Sequence, residues 1–149
     1  EKISCDSSGR VTKINPSNKL FVVGRGVPRD VVLLADSLEW LYFCCLDFVG
    51  TLPTELGLLS NLEKLLLSKN QLTGRIPSEL GSLTNLDTLN LSENIFSGAI
   101  PSELGLLTKL EKLMLDGNDL TGSMPYEVCQ LRKPSGVLDL LEADCKEVK

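Results

Sequence analysis

The sequence predicts an α/β solenoid: a right-handed superhelix, or short horseshoe, with a parallel β-sheet on its concave face and short 3₁₀ or helical turns on its convex side. Two observations support this fold class. From Leu38 the 149-residue chain repeats itself every 24 residues without a gap. Apolar residues make up 42% of the chain, yet each repeat has too few of them to close a core alone. Stacked repeats must therefore share one core.

Columns of like residues at matching positions define the repeat. Four of the columns are apolar: Leu38, Leu62, Leu86 and Leu110; Leu41, Leu65, Leu89 and Leu113; Phe43, Leu67, Leu91 and Leu115; Phe48, Leu72, Phe96 and Leu120. Glycine and proline columns follow them: Gly50, Gly74, Gly98 and Gly122; Pro53, Pro77, Pro101 and Pro125. A match of this length is not a chance event, and it predicts four regular repeats in residues 38–133.

The first half of each repeat predicts a β-strand and the second half predicts a tight turn. The L-x-x-L-x-L pattern alternates apolar and other residues, which is the period of a strand. Stacked strands lie about 4.8 Å apart and form a parallel sheet. The P-x-E-L-G-x-L pattern does not suit a second long strand, because proline lacks the N–H donor. It suits a brief 3₁₀ or helical turn.

At this point the repeats resemble a known family. The segment LEKLLLSKNQLTGRIPSELGSLTNL, residues 62–86, closely resembles the plant-specific class of leucine-rich repeat, whose hallmark is L-T-G-x-I-P after the asparagine. The segment ISCDSSGRVTKI resembles the N-terminal cap hairpin of that class, and PYEVCQL with LEADC resembles the C-terminal cap of its secreted members. The resemblance implies one domain, with a cap hairpin and irregular coil in residues 1–37 and a C-terminal cap in residues 134–149.

The resemblance also implies a function. Short receptor ectodomains and secreted plant and algal proteins of this class act outside the cell or on its surface, as non-catalytic binding modules. We therefore expect a protein or peptide ligand, or a cell-wall glycan, and a monomeric chain. The alternatives are an inhibitor of a secreted hydrolase, like the polygalacturonase inhibitors, and ice binding. Ice binding would use a partial column of side chains at Val49, Thr73, Ser97 and Thr121.

The predicted binding surface consists of the outward strand positions, which a solenoid presents as one concave face. These positions are Trp40 and Tyr42; Lys64, Leu66 and Ser68; Thr88, Asn90 and Ser92; and Lys112, Met114 and Asp116. Exposed aromatic residues and methionine are common at interaction surfaces. The alternative for Trp40 and Tyr42 is that they pack beneath the irregular first coil.

Asparagines at the bends have a predicted structural role. Asn70, Asn94 and Asn118 follow the strands, where their amides can bond backbone groups that the bend would otherwise leave unpaired. The first repeat has Leu46 at this position, so the asparagine column stops there. Asn90-Leu91-Ser92 is an N-glycosylation sequon, and a glycan on Asn90 would cover the centre of the concave face.

Five cysteines suit disulfides in an oxidising compartment. Cys129 replaces a glycine of the repeat, and a disulfide from Cys129 to Cys145 would staple the open end of the sheet. In the family, a cysteine at the position of Cys5 usually pairs with one further upstream. Cys5 is therefore either a free thiol or a partner for Cys44 or Cys45, and the cysteine pair is otherwise two buried thiols.

Composition argues against several other functions. The net charge of −5 disfavours nucleic acid and anionic membrane surfaces. No apolar run approaches the roughly 20 residues of a membrane helix, and the chain opens without the leader of a secreted precursor, as a processed product would. The sequence contains no histidine, no C-x-x-C motif, no nucleophile–base pair and no phosphate loop. We therefore expect no enzyme activity, no metal and no cofactor.

Overall fold

The computed structural model describes residues 3–5, 7–8, 11–14 and 26–131. Its β-strands are β1 Ile3–Cys5, β2 Val11–Ile14, β3 Trp40–Tyr42, β4 Val49–Thr51, β5 Lys64–Leu66, β6 Gln71–Gly74, β7 Thr88–Asn90, β8 Ile95–Ala99, β9 Lys112–Met114 and β10 Asp119–Thr121. Within these residues, four 3₁₀ helices span Arg29–Leu34, Thr54–Leu58, Ser78–Ser82 and Ser102–Leu106, and a short α-helix spans Tyr126–Cys129. The predicted class, a leucine-rich repeat solenoid, is confirmed.

The concave face is a six-stranded sheet in the order β1-β2-β3-β5-β7-β9. β1 and β2 form an antiparallel hairpin, and every other pair in this sheet is parallel. The strands are in phase with the sequence repeat, because Leu41 lies beside Leu65 and Leu65 lies beside Leu89. These central leucines point into the core and are fully buried, so their neighbours on each strand point outward.

A second parallel sheet, which the sequence did not lead us to predict, follows the bends in the order β10-β8-β6-β4. It begins after each asparagine position and contains or adjoins a glycine with positive φ, such as Gly74 at +79° and Gly98 at +81°. The proline that argued against a strand stands just beyond it, where the chain enters the 3₁₀ helix. The proline therefore ends this short strand and does not prevent it.

Coils stack closely along the glycines of the E-L-G segments. A Cβ atom on Gly57 would collide with the backbone carbonyl of Glu79, and one on Gly81 would collide with that of Glu103. Only a residue without a side chain allows the next 3₁₀ helix to approach this closely. Cys129 stands at the same position of the last regular repeat.

The core is one continuous column of apolar side chains. It is built from the predicted leucine and phenylalanine columns, of which Leu115 and Leu120 are only partly buried. The irregular first coil also contributes, since Val31 within the 3₁₀ helix Arg29–Leu34 and Val27 just before it are buried. Leu46, which replaces the asparagine of the other repeats, is buried at 3% exposure and joins this core. The Phe43 and Phe48 rings flank that bend, with their centroids 4.9 Å apart.

The bend asparagines bond two coils at once. The side-chain oxygen of Asn94 accepts from the Leu72 N–H at 3.1 Å, and its amide nitrogen donates to the carbonyls of Leu67 and Leu91 at 3.0 and 3.1 Å. Asn70 and Asn118 make the corresponding bonds. These bonds pair backbone groups inside the bend that would otherwise have no partner.

Candidate functional site: the concave face

The concave face carries a row of outward side chains from four parallel strands. Its members are Trp40 and Tyr42 on β3, Lys64 and Leu66 on β5, Thr88 and Asn90 on β7, and Lys112 and Met114 on β9, with Asp116 just beyond β9. Trp40, Tyr42, Lys112 and Asp116 are exposed, and the others are partly buried. These predicted site residues therefore share one surface.

Two predicted members of the row, Ser68 and Ser92, are buried at 9% and 7% exposure. They follow β5 and β7, where the chain has already turned into the bend. The Ser68 hydroxyl donates to Cys44 Sγ at 3.6 Å, and the Ser92 hydroxyl donates to Asn90 Oδ1 at 2.7 Å. Both serines lie beside the bend and expose little surface, and their part in ligand binding stays a prediction.

Trp40 stands between two lysines of the neighbouring strands. Lys13 on β2 and Lys64 on β5 both pair with Trp40 in register. Their ammonium nitrogens lie 3.6 and 4.8 Å from the centroid of the indole ring, a cation–π arrangement. The indole nitrogen donates to Glu63 at 3.4 Å. Trp40 thus contacts the cap hairpin and still keeps 36% of its surface exposed.

Tyr42 lies at the other end of β3, beside the Cys44-Cys45 bend, and is 39% exposed. Electrostatic repulsion from Cys44, followed by burial, raises the pKa of Tyr42 above its ordinary value. Tyr42 therefore stays a neutral hydrogen-bonding phenol throughout the physiological pH range.

A polar groove of about 300 Å³ opens at the edge where β3, β5 and β7 begin. Its walls are formed by Thr12, Asp36, Ser37, Glu39, Asn61, Glu63 and Asn85. Asn61 and Asn85 donate to the carbonyls of Asp36 and Ser60, each at 2.9 Å. The repeat pattern did not predict this groove, although its asparagines recur 24 residues apart, as Asn61 and Asn85. Glu63 connects the groove to Trp40.

The sequon asparagine has a defined hydrogen-bonding arrangement. Asn90 Oδ1 accepts from both the backbone N–H and the hydroxyl of Ser92, at 3.0 and 2.7 Å. The side chain is partly buried on β7. Glycosylation of Asn90 stays a prediction.

The structure describes four of the five cysteines. Cys5, Cys44 and Cys45 are free thiols. Cys129 takes part in an interaction of its own, but its predicted partner Cys145 lies outside the described residues. The Cys129–Cys145 pairing therefore stays a prediction, as does the cap assigned to residues 134–149.

Within the described ranges, no group of three or more acidic, cysteine or histidine side chains could hold a metal ion. In the same part of the chain, no helix has the length and apolar character needed to cross a bilayer.

Two leucine-rich repeat models match the chain. The model described as leucine-rich repeats in two copies matches residues 60–105, and the single leucine-rich repeat model matches residues 109–131. No curated protein matches. Among solved structures, the BIR3–SERK2 complex from Arabidopsis thaliana shares 32% identity at a TM-score of 0.74, covering 86% of this chain and 68% of that one.

Two other solved structures bear on function. The plant peptide hormone receptor RGFR1 in complex with RGF2 shares 34% identity at a TM-score of 0.76, covering 87% of this chain but 19% of the receptor. A plant ice-binding protein shares 32% identity at a TM-score of 0.73, with 85% of this chain and 41% of that one covered. The chain is thus much shorter than these two proteins.

The repeats, the two parallel sheets and these similarities lead to one conclusion: the chain belongs to the leucine-rich repeat family, in its plant type.

Proposed function

We propose that this chain is a non-catalytic extracellular binding module that recognises a protein or peptide on its concave face. The observation that carries the proposal is the exposure of two aromatic side chains, Trp40 and Tyr42, on one strand of that face. Aromatic anchors of this kind supply much of the energy in protein interfaces. Leu66 and Met114 extend the apolar surface across the sheet, and Lys112 and Asp116 add charge at its far end.

The similar structures support the same class of ligand. RGFR1 is a peptide hormone receptor in complex with RGF2, and BIR3 and SERK2 form a complex with one another. Both are plant leucine-rich repeat structures, which also supports a location at the cell surface or in the secreted space.

A peptide or protein fits the Trp40 site better than a glycan does. Sugars bind aromatic residues by stacking on an open ring face, whereas Lys13 lies 3.6 Å from the centre of this ring. The adjacent groove presents Glu39, Glu63 and Asp36, which would attract a basic group of a peptide. We therefore place the peptide's apolar contact at Trp40 and Tyr42 and a basic residue in the groove.

The experiment is a binding screen of the purified chain against secreted plant peptides and receptor ectodomains, measured by biolayer interferometry. Trp40→Ala and Tyr42→Ala should each weaken a hit by more than about tenfold. Charge reversal at Lys64 or Lys112 should change its affinity and salt dependence. The matched control is Tyr126→Ala, because Tyr126 is equally aromatic and 63% exposed but lies on the short α-helix. Undiminished binding in all four variants of the concave face would show that this face is not the binding surface.

Ice binding is a second candidate, because a plant ice-binding protein has a similar structure. Its predicted column, Val49, Thr73, Ser97 and Thr121, follows the second sheet through β4, β6, β8 and β10. Val49 interrupts the hydroxyl array at its start. Thermal hysteresis of the purified protein decides the matter, and an inhibition assay against pectin-degrading enzymes tests the hydrolase-inhibitor alternative.

A further inference from the structure

Two free thiols stand side by side at the bend after β3. Cys44 is partly buried and Cys45 is exposed, and neither is in a disulfide. They are consecutive residues of the chain. Cys44 Sγ also accepts from the Ser68 hydroxyl at 3.6 Å, which holds it at the edge of the core. The pair therefore combines one accessible sulfur with one that is anchored behind it.

The bend itself does not need cysteines. The matching positions of the later repeats hold the polar pairs Ser68-Lys69, Ser92-Glu93 and Asp116-Gly117. The second residue of each pair has a positive φ, from 52° at Glu93 to 66° at Gly117, and Cys45 has the same conformation at 63°. Asn70 completes the bend by accepting from the N–H groups of Leu46 and Phe48 at 3.1 and 3.0 Å. Folding thus leaves the two thiols available for another role.

A disulfide between adjacent cysteines adds little stability to a fold and is easily reduced. Neighbouring Cα atoms are about 3.8 Å apart, below the usual range of roughly 4.4–6.8 Å for disulfide-bonded residues. A bond closed at this separation is strained, and strained or exposed disulfides are the more easily reduced ones. Such a bond also closes the shortest possible loop, so it constrains the unfolded chain very little.

We propose that Cys44 and Cys45 form a redox-responsive modification site, a dithiol that a low-molecular-weight disulfide converts reversibly into a disulfide between the two neighbours. The exposed Cys45 thiolate attacks one sulfur of the small disulfide, whose S–S bond breaks to release one thiol. Cys44 then gives up its proton and attacks Cys45 Sγ, which releases the second thiol. Two cysteine thiols are oxidised, and one small disulfide is reduced to two thiols. The site does not depend on the ligand proposed for the concave face.

The test uses the purified chain with oxidised glutathione in excess, followed by alkylation without reduction, tryptic digestion and mass spectrometry. The tryptic peptide from Asp30 to Lys64 contains Cys44 and Cys45 and no other cysteine. We expect this peptide to escape alkylation and to be lighter by two hydrogen atoms. Reduction with dithiothreitol should restore two alkylated cysteines.

Three variants serve as controls, each checked for folding by circular dichroism. Cys44→Ser and Cys45→Ser should stop at a mixed disulfide with glutathione, because the second thiol is missing. Cys5→Ser should behave like the original chain. The proposal is overturned if both thiols remain alkylatable at every ratio of oxidised to reduced glutathione, if the peptide carries two glutathiones, or if it is linked to the peptide that contains Cys5.

Discussion

The ammonium nitrogen of Lys13 lies 3.6 Å from the centroid of the Trp40 ring, so a side chain of the N-terminal hairpin touches the first aromatic residue of the concave face. Through this contact and the pairing of β2 with β3, the hairpin extends the sheet of the regular repeats. The hairpin thus helps to fix the position of a residue that we propose for ligand binding.

Lys13→Ala should disturb this contact without unfolding the chain. A partly exposed cation–π contact contributes about 0.5–1 kcal/mol, so the free energy of unfolding should fall by that amount. Trp40 is the only tryptophan, so its fluorescence emission should also shift. Lys112→Ala is the control, because Lys112 lies on β9 and is separated from β3 by β5 and β7. Equal effects of the two variants on fluorescence would contradict the contact.

Asn94→Ala should destabilise the fold strongly. The side chain accepts a hydrogen bond from the Leu72 N–H and donates to the carbonyls of Leu67 and Leu91, and all three bonds are buried. Each buried group left without a partner costs about 1–3 kcal/mol of stability. We expect a loss of at least about 3 kcal/mol in urea unfolding. Asn61→Ala removes one exposed bond, at 2.9 Å to the Asp36 carbonyl, and should cost less than about 1 kcal/mol. Similar losses of unfolding free energy in the two variants would show that the buried hydrogen bonds of the bend are not the source of the effect.

Gly81→Ala tests the close stacking of the coils. Its new methyl group would meet the Glu103 carbonyl, and backbone cannot move aside as a flexible side chain can, so we expect a loss of about 1–3 kcal/mol. Gly122→Ala is a useful comparison, because Gly122 has a φ of +84° but no atom within 4 Å of the added methyl. That variant should lose only about 1 kcal/mol, from backbone strain alone. Thermal unfolding of the two variants would reveal the difference.

The reactivity of Cys45 should depend on its neighbours. The hydrogen bond with the Cys44 thiol is the main cause that raises the pKa of Cys45, followed by burial, while the nearby Lys69 lowers it and Glu93 raises it. A raised pKa leaves less thiolate at neutral pH, so alkylation by iodoacetamide should accelerate at a higher pH than for a cysteine in a model peptide. Cys44→Ser should shift the rate profile to lower pH and Lys69→Gln to higher pH. A profile that neither variant moves would contradict this account.

Much of the fold could be predicted from the repeat, but less of the site could be. Periodicity identified Leu41, Leu65 and Leu89 as core, because burial and the period of a strand are read from the same pattern. The second sheet was missed, because its pairing is between backbone groups of neighbouring coils and leaves little trace in side-chain alternation. The low exposure of Ser68 and Ser92 was not predicted, since the sequence does not show where a strand gives way to a bend.

The contacts around Trp40 were also beyond sequence reasoning. Lys13 lies in the irregular N-terminal part of the chain, where no repeat gives the register against β3. Only the pairing of the hairpin with the first regular strand brings Lys13 to this ring. The position of Glu63, one residue before Lys64, does follow from the repeat. Its hydrogen bond from the indole nitrogen could not be predicted, because that bond depends on the side-chain conformation of Trp40.

The bend asparagines give the stack a direction. Asn70 pairs backbone groups of the coil before it, namely those of Phe43, Leu46 and Phe48, and Asn94 does the same for the coil that contains Leu72. Each coil is therefore completed by its successor along the chain. Removing a repeat from the C-terminal end leaves backbone groups of the repeat before it without their asparagine partner. Removing the irregular coil that contains the 3₁₀ helix Arg29–Leu34 breaks no such hydrogen bond, because Leu46 stands where the next repeat would need an asparagine. Shortened versions of this solenoid should tolerate loss at the beginning better than loss at the end.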